Sequence, residues 1–150
     1  MGKTVLDWTW GLPQTAAGAV LAALCGGKTF WFHDARVTVW KSRSSLSLGP
    51  YLFLTGDPFH YYPRQRETLP EEVFARRLLV HEYGHTIQSR ILGPLYLPAV
   101  GIPSLIWSFW PGAVRKRARE GTSYFSGYPE RWANRLGERH TGEPSIGEPV

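Results

Sequence analysis

Within Leu78-Leu79-Val80-His81-Glu82-Tyr83-Gly84-His85-Thr86-Ile87-Gln88, two histidines stand four residues apart, with a glutamate directly after the first. On a helix, residues four apart share a face. His81 and His85 can therefore reach one metal ion while Glu82 stands beside its open position. This ligand chemistry suits zinc, which takes imidazole nitrogens at about 2.0 to 2.1 Å and, with three protein ligands, keeps a fourth position for water. The pKa of that water falls to about 7, and Glu82 is placed to take its proton.

Two histidines do not complete such a site, so a third ligand must come from elsewhere. The run Tyr128-Pro129-Glu130-Arg131-Trp132-Ala133-Asn134-Arg135-Leu136-Gly137 reads as a short helix with Pro129 in its first turn. Glu130, Ala133, Asn134 and Gly137 share one stripe of it. Small residues beside a glutamate let that stripe pack closely on another helix, and a carboxylate buried there needs a partner because an unpaired buried charge is costly. Glu130 is thus the preferred third ligand and His140 its rival, since no second short-spaced histidine follows His85. His140, Tyr124 and Tyr128 are candidates for polarising a substrate carbonyl. His33 and His60 have no motif around them.

The elements that must position these residues are legible from periodicity and punctuation. Residues 71–92 read as one long helix ended by Gly93-Pro94, and Thr68 three residues before Glu71 has capping-box spacing. Val73, Val80, Gly84, Ile87 and Ile91 make one apolar or small-residue stripe, and Phe74, Leu78, His81, His85, Gln88 and Leu92 the adjacent one. The histidines therefore border the core. Upstream, Lys28–His33 and Arg36–Lys41 alternate about a break at Asp34-Ala35, which suggests a hairpin. Leu46–Thr55 reads as a third strand interrupted by Gly49-Pro50, hence an edge strand or a bulge. A small, mostly antiparallel sheet before one long helix, with further short helices, predicts an α+β fold.

The flanks are less plain. Residues 14–24 read as a short buried helix ended by Gly26-Gly27. A cleaved leader is disfavoured because Asp7 offsets Lys3 and Leu24 is too large to precede a cleavage point. Ile91 to Val114 runs without a charge, long enough to span a bilayer by residue count alone. Its four prolines make an unbroken helix improbable, so extended pieces plus one helix near residues 104–110 are expected. Trp107 and Trp110 followed by Arg115-Lys116-Arg117-Ala118-Arg119 leave a peripheral membrane contact open through residues 91–119.

The 150 residues, 43% hydrophobic, suffice for one core, read as a single domain over 1–140 with a flexible tail from 141 to 150. Cys25 alone excludes an internal disulfide framework and a cysteine-rich metal site. The net charge of +5 is concentrated in basic runs, but no nucleic-acid module accompanies them, and nucleic-acid binding is not expected.

The pattern His81-Glu82-x-x-His85 followed by Glu130-x-x-Ala133-Asn134 resembles the gluzincin zinc metallopeptidases, and the short chain is similar to their minimal members, the minigluzincins. It is also similar to an uncharacterised bacterial family with a HEYGH helix, a Leu-Gly-Pro-Leu-Tyr-Leu-Pro continuation and a final Glu-x-x-Ala-Asn-Arg-Leu-Gly. The resemblance covers Leu78 to Pro98 and Tyr128 to Gly137. It implies zinc held by His81, His85 and Glu130, with Glu82 as general base and acid. Gluzincins commonly place an Asp where Asn134 stands, bonded to a ligand histidine; an Asn still accepts from the imidazole but brings no charge. The resemblance also implies a peptide or protein substrate received along an upstream edge strand, here the Leu46–Thr55 region.

The expected activity is therefore zinc-dependent peptide-bond hydrolysis. The alternative is a non-catalytic module in which metal only ties the long helix to the C-terminal one, or which binds a membrane or partner. The two differ in whether the metal position is open or closed by a fourth protein ligand.

Overall fold

The computed structural model describes residues 2–146. Two helices, α1 (Gly2–Trp8) and α2 (Leu12–Leu24), precede strands β1 (Lys28–Phe32), β2 (Ala35–Trp40), β3 (Leu46–Leu48) and β4 (Tyr51–Thr55). The long helix α3 (Glu71–Leu92) follows, then α4 (Ile102–Phe109), α5 (Pro111–Glu120) and α6 (Tyr128–Thr141). This is the expected α+β arrangement.

The sheet order is β1-β2-β4-β3. β1 with β2 and β3 with β4 are antiparallel hairpins, while β2 and β4 run parallel, Val37 opposite Leu52. The stretch expected as one interrupted strand is thus two strands. Gly49, at φ +61, supplies the left-handed turn between them, a conformation that a β-carbon disfavours. Of these two, β3 lies at a sheet edge and β4 is internal, so the expected edge narrows to Leu46–Leu48.

Alternation decides which sheet face meets α3. Val37, Leu52 and Leu54 join Phe74, Leu78, Leu79, Val80, Tyr83 and Ile87 in the main core. The other face of α3 meets α6. At that crossing a Cβ on Gly84 would collide with the Ala133 carbonyl, and one on Gly137 with the Val80 carbonyl. Glycine is what lets the two backbones touch. Every residue of α3 from Leu78 to Arg90 is buried, while Val73 and Ile91 at the ends of the expected stripe are exposed. A helix packed on two sides buries all its faces in the middle, and the two-stripe reading understated that.

Other expectations are corrected. Pro70, not Thr68, is the N-cap of α3, and no side chain caps it; Thr68 instead donates to the Gln65 carbonyl within the preceding 3-10 turn. Glu71 and Glu72 remain in the first turn, where carboxylates favour the helix dipole. α2 is not buried on an apolar face. It seats Gln14, Thr15 and Gly18, with Gly18 against Leu48 and Tyr51, and leaves Val20 and Leu24 in solvent. Gly18 and Thr15 take the side that lies close on the sheet, while Gln14 is held by donating to Ser89 and the Gly93 carbonyl. Between α3 and α4 the chain forms 3-10 and π turns instead of extended pieces. The expected tail is seated as far as Ile146: Glu143 pairs with Arg76, and Ile146 joins the core. Residues 147–150 of that tail lie outside the described residues.

Candidate metal centre

His81 and His85 stand one turn apart on α3, and the glycine-mediated crossing carries Glu130, in the first turn of α6, against them. Glu130 Oε2 lies 3.1 Å from His81 Nε2 and 3.2 Å from His85 Nε2. All three side chains are buried. Ligands at zinc-like bond lengths on a tetrahedral centre are about 3.4 Å apart, so these spacings suit one shared ion.

Hydrogen bonds behind the histidines settle which nitrogens face that point. Gln88 Nε2 donates to the Pro129 carbonyl, which turns Gln88 Oε1 toward His85 Nδ1 at 2.7 Å. Asn134 Nδ2 donates to the Ile146 carbonyl, which turns Asn134 Oδ1 toward His81 Nδ1, also at 2.7 Å. An amide oxygen only accepts, so both rings carry their proton on Nδ1 and present Nε2 lone pairs inward. Two lone pairs and a carboxylate oxygen then converge with no donor between them. Such a set requires a cation, either a shared proton or a metal ion.

The electrostatics agree. Burial alone would lower the His85 pKa, but the Glu130 carboxylate outweighs it, and in the metal-free protein His85 rises to about 9. Burial favours the neutral form of Glu130, yet His85 and His81 hold its pKa well below the usual carboxylate range. This pair therefore carries a proton where a metal would displace it. The residues His81, His85 and Glu130 can hold a metal ion.

The second Glu130 oxygen accepts from Ser104 of α4, whose hydroxyl also meets Tyr124, and Tyr124 is held further by Ser108. A cleft of about 720 Å³ opens above the cluster, between the β3 edge and α4. Glu82 lines this cleft and has no hydrogen-bond donor among the described residues. Burial and Glu130 raise its pKa, against the lowering effect of the two histidines.

Four of the sequence candidates, His81, Glu82, His85 and Glu130, meet here, and Asn134 sits behind His81. Tyr124 also reaches the cluster, through Ser104. His140 and Tyr128 do not reach it: His140 is exposed with Nδ1 on the Leu136 carbonyl, and Tyr128 is 60% exposed and stacked on Trp132. Both lie on the outer face of α6. Gln88 and Ser104 were missed. Gln88 was detectable, three residues after a ligand histidine on the same helix. Ser104 was not, because nothing in its own segment ties α4 to residue 130.

Comparison with protein-family models, with curated proteins and with solved structures finds no match to this chain.

Proposed function

We propose that the chain is a zinc-dependent peptidase of the gluzincin type. The observation that carries this reading is the convergence of His81 Nε2, His85 Nε2 and Glu130 Oε2. Both Nδ1 atoms are committed elsewhere, and an unpartnered Glu82 faces a cleft beside them. Two imidazoles and a carboxylate are a ligand set of catalytic zinc, which keeps one position open. No fourth His, Cys, Asp or Glu joins the cluster among the described residues, which favours catalysis over a closed structural site.

A zinc ion bound there would supply Lewis acidity toward a substrate carbonyl and lower the pKa of water. Glu82 accepts the proton of the attacking water and returns it to the leaving amine; its raised pKa brings it closer to the range in which one group serves as both base and acid. Gln88 and Asn134 hold the imidazole rings in one tautomer and orientation. Ser104 ties up one Glu130 oxygen and leaves the other, beside the two imidazoles, as the one that would hold the ion. The β3 edge borders the cleft with its Ser47 carbonyl accepting from Tyr96, and an extended peptide that displaced that contact would lay its backbone across the site.

The test is Glu82→Gln. Elemental mass spectrometry should find about one zinc per chain in wild type and variant alike, while cleavage of a peptide library drops by about 10² to 10⁴ in the variant. Cleavage by Glu82→Gln at the wild-type rate would remove the mechanism, and a wild type that takes up no zinc on reconstitution would remove the metal.

A further inference from the structure

No residue of α4 is buried. Ile102, Leu105, Ile106 and Phe109 recur at spacings of three, four and seven, with exposures between 51% and 64%, and Trp110 adds a fifth apolar side chain at 61%. A stripe with this period ordinarily faces a core, and a contiguous exposed one marks an interaction surface. Its opposite edge is occupied: Ser104, Trp107 and Ser108 hydrogen-bond Tyr124, and Ser104 bonds Glu130 as well. The outward stripe is therefore fixed in place by the metal-centre side of the same helix.

Charge identifies the occupant. After a 69° bend α5 carries Arg115, Lys116 and Arg119 into solvent, and Arg117 packs over Trp107. No acidic residue occurs between Glu82 and Glu120. Apolar side chains beside uncompensated cations match the boundary of an anionic bilayer, where acyl chains receive the former and headgroup phosphates the latter. Trp110, exposed between α4 and α5, stands at the junction, where an indole prefers headgroup depth. The eight residues of α4 span about 12 Å, far short of the roughly 30 Å hydrocarbon layer. No single helix among the described residues is long and apolar enough to cross a membrane. A second copy of the chain fits less well, since self-complementary pairing over α4 would bring like-charged α5 helices together.

We propose that α4 and α5 dock the protein on an anionic phospholipid bilayer, with α4 lying in the plane of the interface and α5 along the phosphates. Ile102, Leu105 and Phe109 line the cleft mouth as well as the docking stripe, so the cleft opens at the bilayer surface. Docking itself needs no catalysis. If the peptidase reading also holds, the substrates are segments presented at the membrane surface.

The test is flotation of the full chain with phosphatidylcholine–phosphatidylserine vesicles and with phosphatidylcholine vesicles, at low and high salt. The mixed vesicles should bind it about tenfold more tightly or better, and salt should weaken that binding. Reversing three exposed charges together, Arg115→Glu, Lys116→Glu and Arg119→Glu, should reduce it about tenfold or more. Ile106→Ser with Trp110→Ser should abolish the binding that survives high salt. None of these side chains touches the metal cluster, and unchanged circular dichroism and zinc content would show that both variants fold. Wild type that floats with neither vesicle, or equally with both, overturns the proposal. So does concentration-dependent dimerisation lost in the Ile106/Trp110 variant without vesicle binding, which would assign the face to a second copy. Failure of the peptidase reading leaves the flotation result unchanged.

Discussion

Two buried polar clusters lie along α3, with His85 and Arg90 about one and a half turns apart, and they solve the same electrostatic problem differently. Near the helix C-terminus Arg90 donates to Asp7 Oδ1 and Oδ2 at 2.9 Å and to Asp34 at 3.1 and 3.2 Å, with Lys3 and Tyr83 also on Asp34. The cation is part of the chain. At the middle of the helix the two imidazoles and Glu130 converge with their donors turned away, and the chain supplies no permanent cation. The Arg90 cluster is complete as folded and opens onto no described cleft; the histidine cluster is incomplete and lines one. A site whose central charge comes from solution, as a proton or a metal ion, can hold a cation, and the contrast separates an ion pair closed within the chain from a candidate metal centre on the same element.

That contrast makes quantitative demands. The largest effect should come from Arg90→Met, which leaves Asp7 buried without its partner. Unfolding by urea should show a loss of about 3 to 5 kcal/mol, the same with zinc or with a chelator. Above about pH 9 in chelator, where the His85 proton is gone, Glu130→Ala should cost far less, and an equal effect there would erase the distinction. Zinc at about a hundred times its dissociation constant should stabilise wild type by about 2.7 kcal/mol, and Glu130→Ala should lose that increment. Gln88→Ala and Asn134→Ala should each weaken zinc binding by about 10- to 100-fold in a competitive chelator titration. Unchanged affinity in both would mean that the rings do not need those amides.

The most diagnostic effect is on pH. Burial opposes the charge on Asp34, but Tyr83, Arg90 and Lys3 prevail and lower its pKa from 3.8 to about 2. A depressed carboxylate stabilises the fold above its unfolded pKa, so this contribution should fade as pH falls from about 4 toward 2. His85 moves the other way. Raised from 6.5 to about 9 in metal-free protein, it contributes fully below about 6.5 and loses that contribution as pH climbs through 9. Denaturation in chelator should therefore show a decline on the alkaline side that zinc abolishes, since zinc already replaces the proton. A decline insensitive to zinc would place the ion elsewhere.

Much of this was readable in advance because it is local. Four-residue spacing on a helix puts His81 and His85 on one face wherever the helix sits, and Gly93-Pro94 ends it in any context. The stripe of Glu130, Ala133, Asn134 and Gly137 announced a close helix contact, since only small residues permit one. These consequences follow from backbone geometry and side-chain size, which the chain carries by itself. Tertiary structure decided the rest. The amide of Asn134 is oriented by Ile146, in a segment whose composition suggested a loose tail. Ser104 meets Glu130 only because α4 folds back over α6. α2 turned Thr15 and Gly18 toward the sheet where the two elements lie close, and β4 slid between β2 and β3, leaving a shorter edge. Each depends on contacts between residues far apart in sequence. No local period encodes such contacts, because the energy that selects them belongs to the packed pair and not to either segment alone.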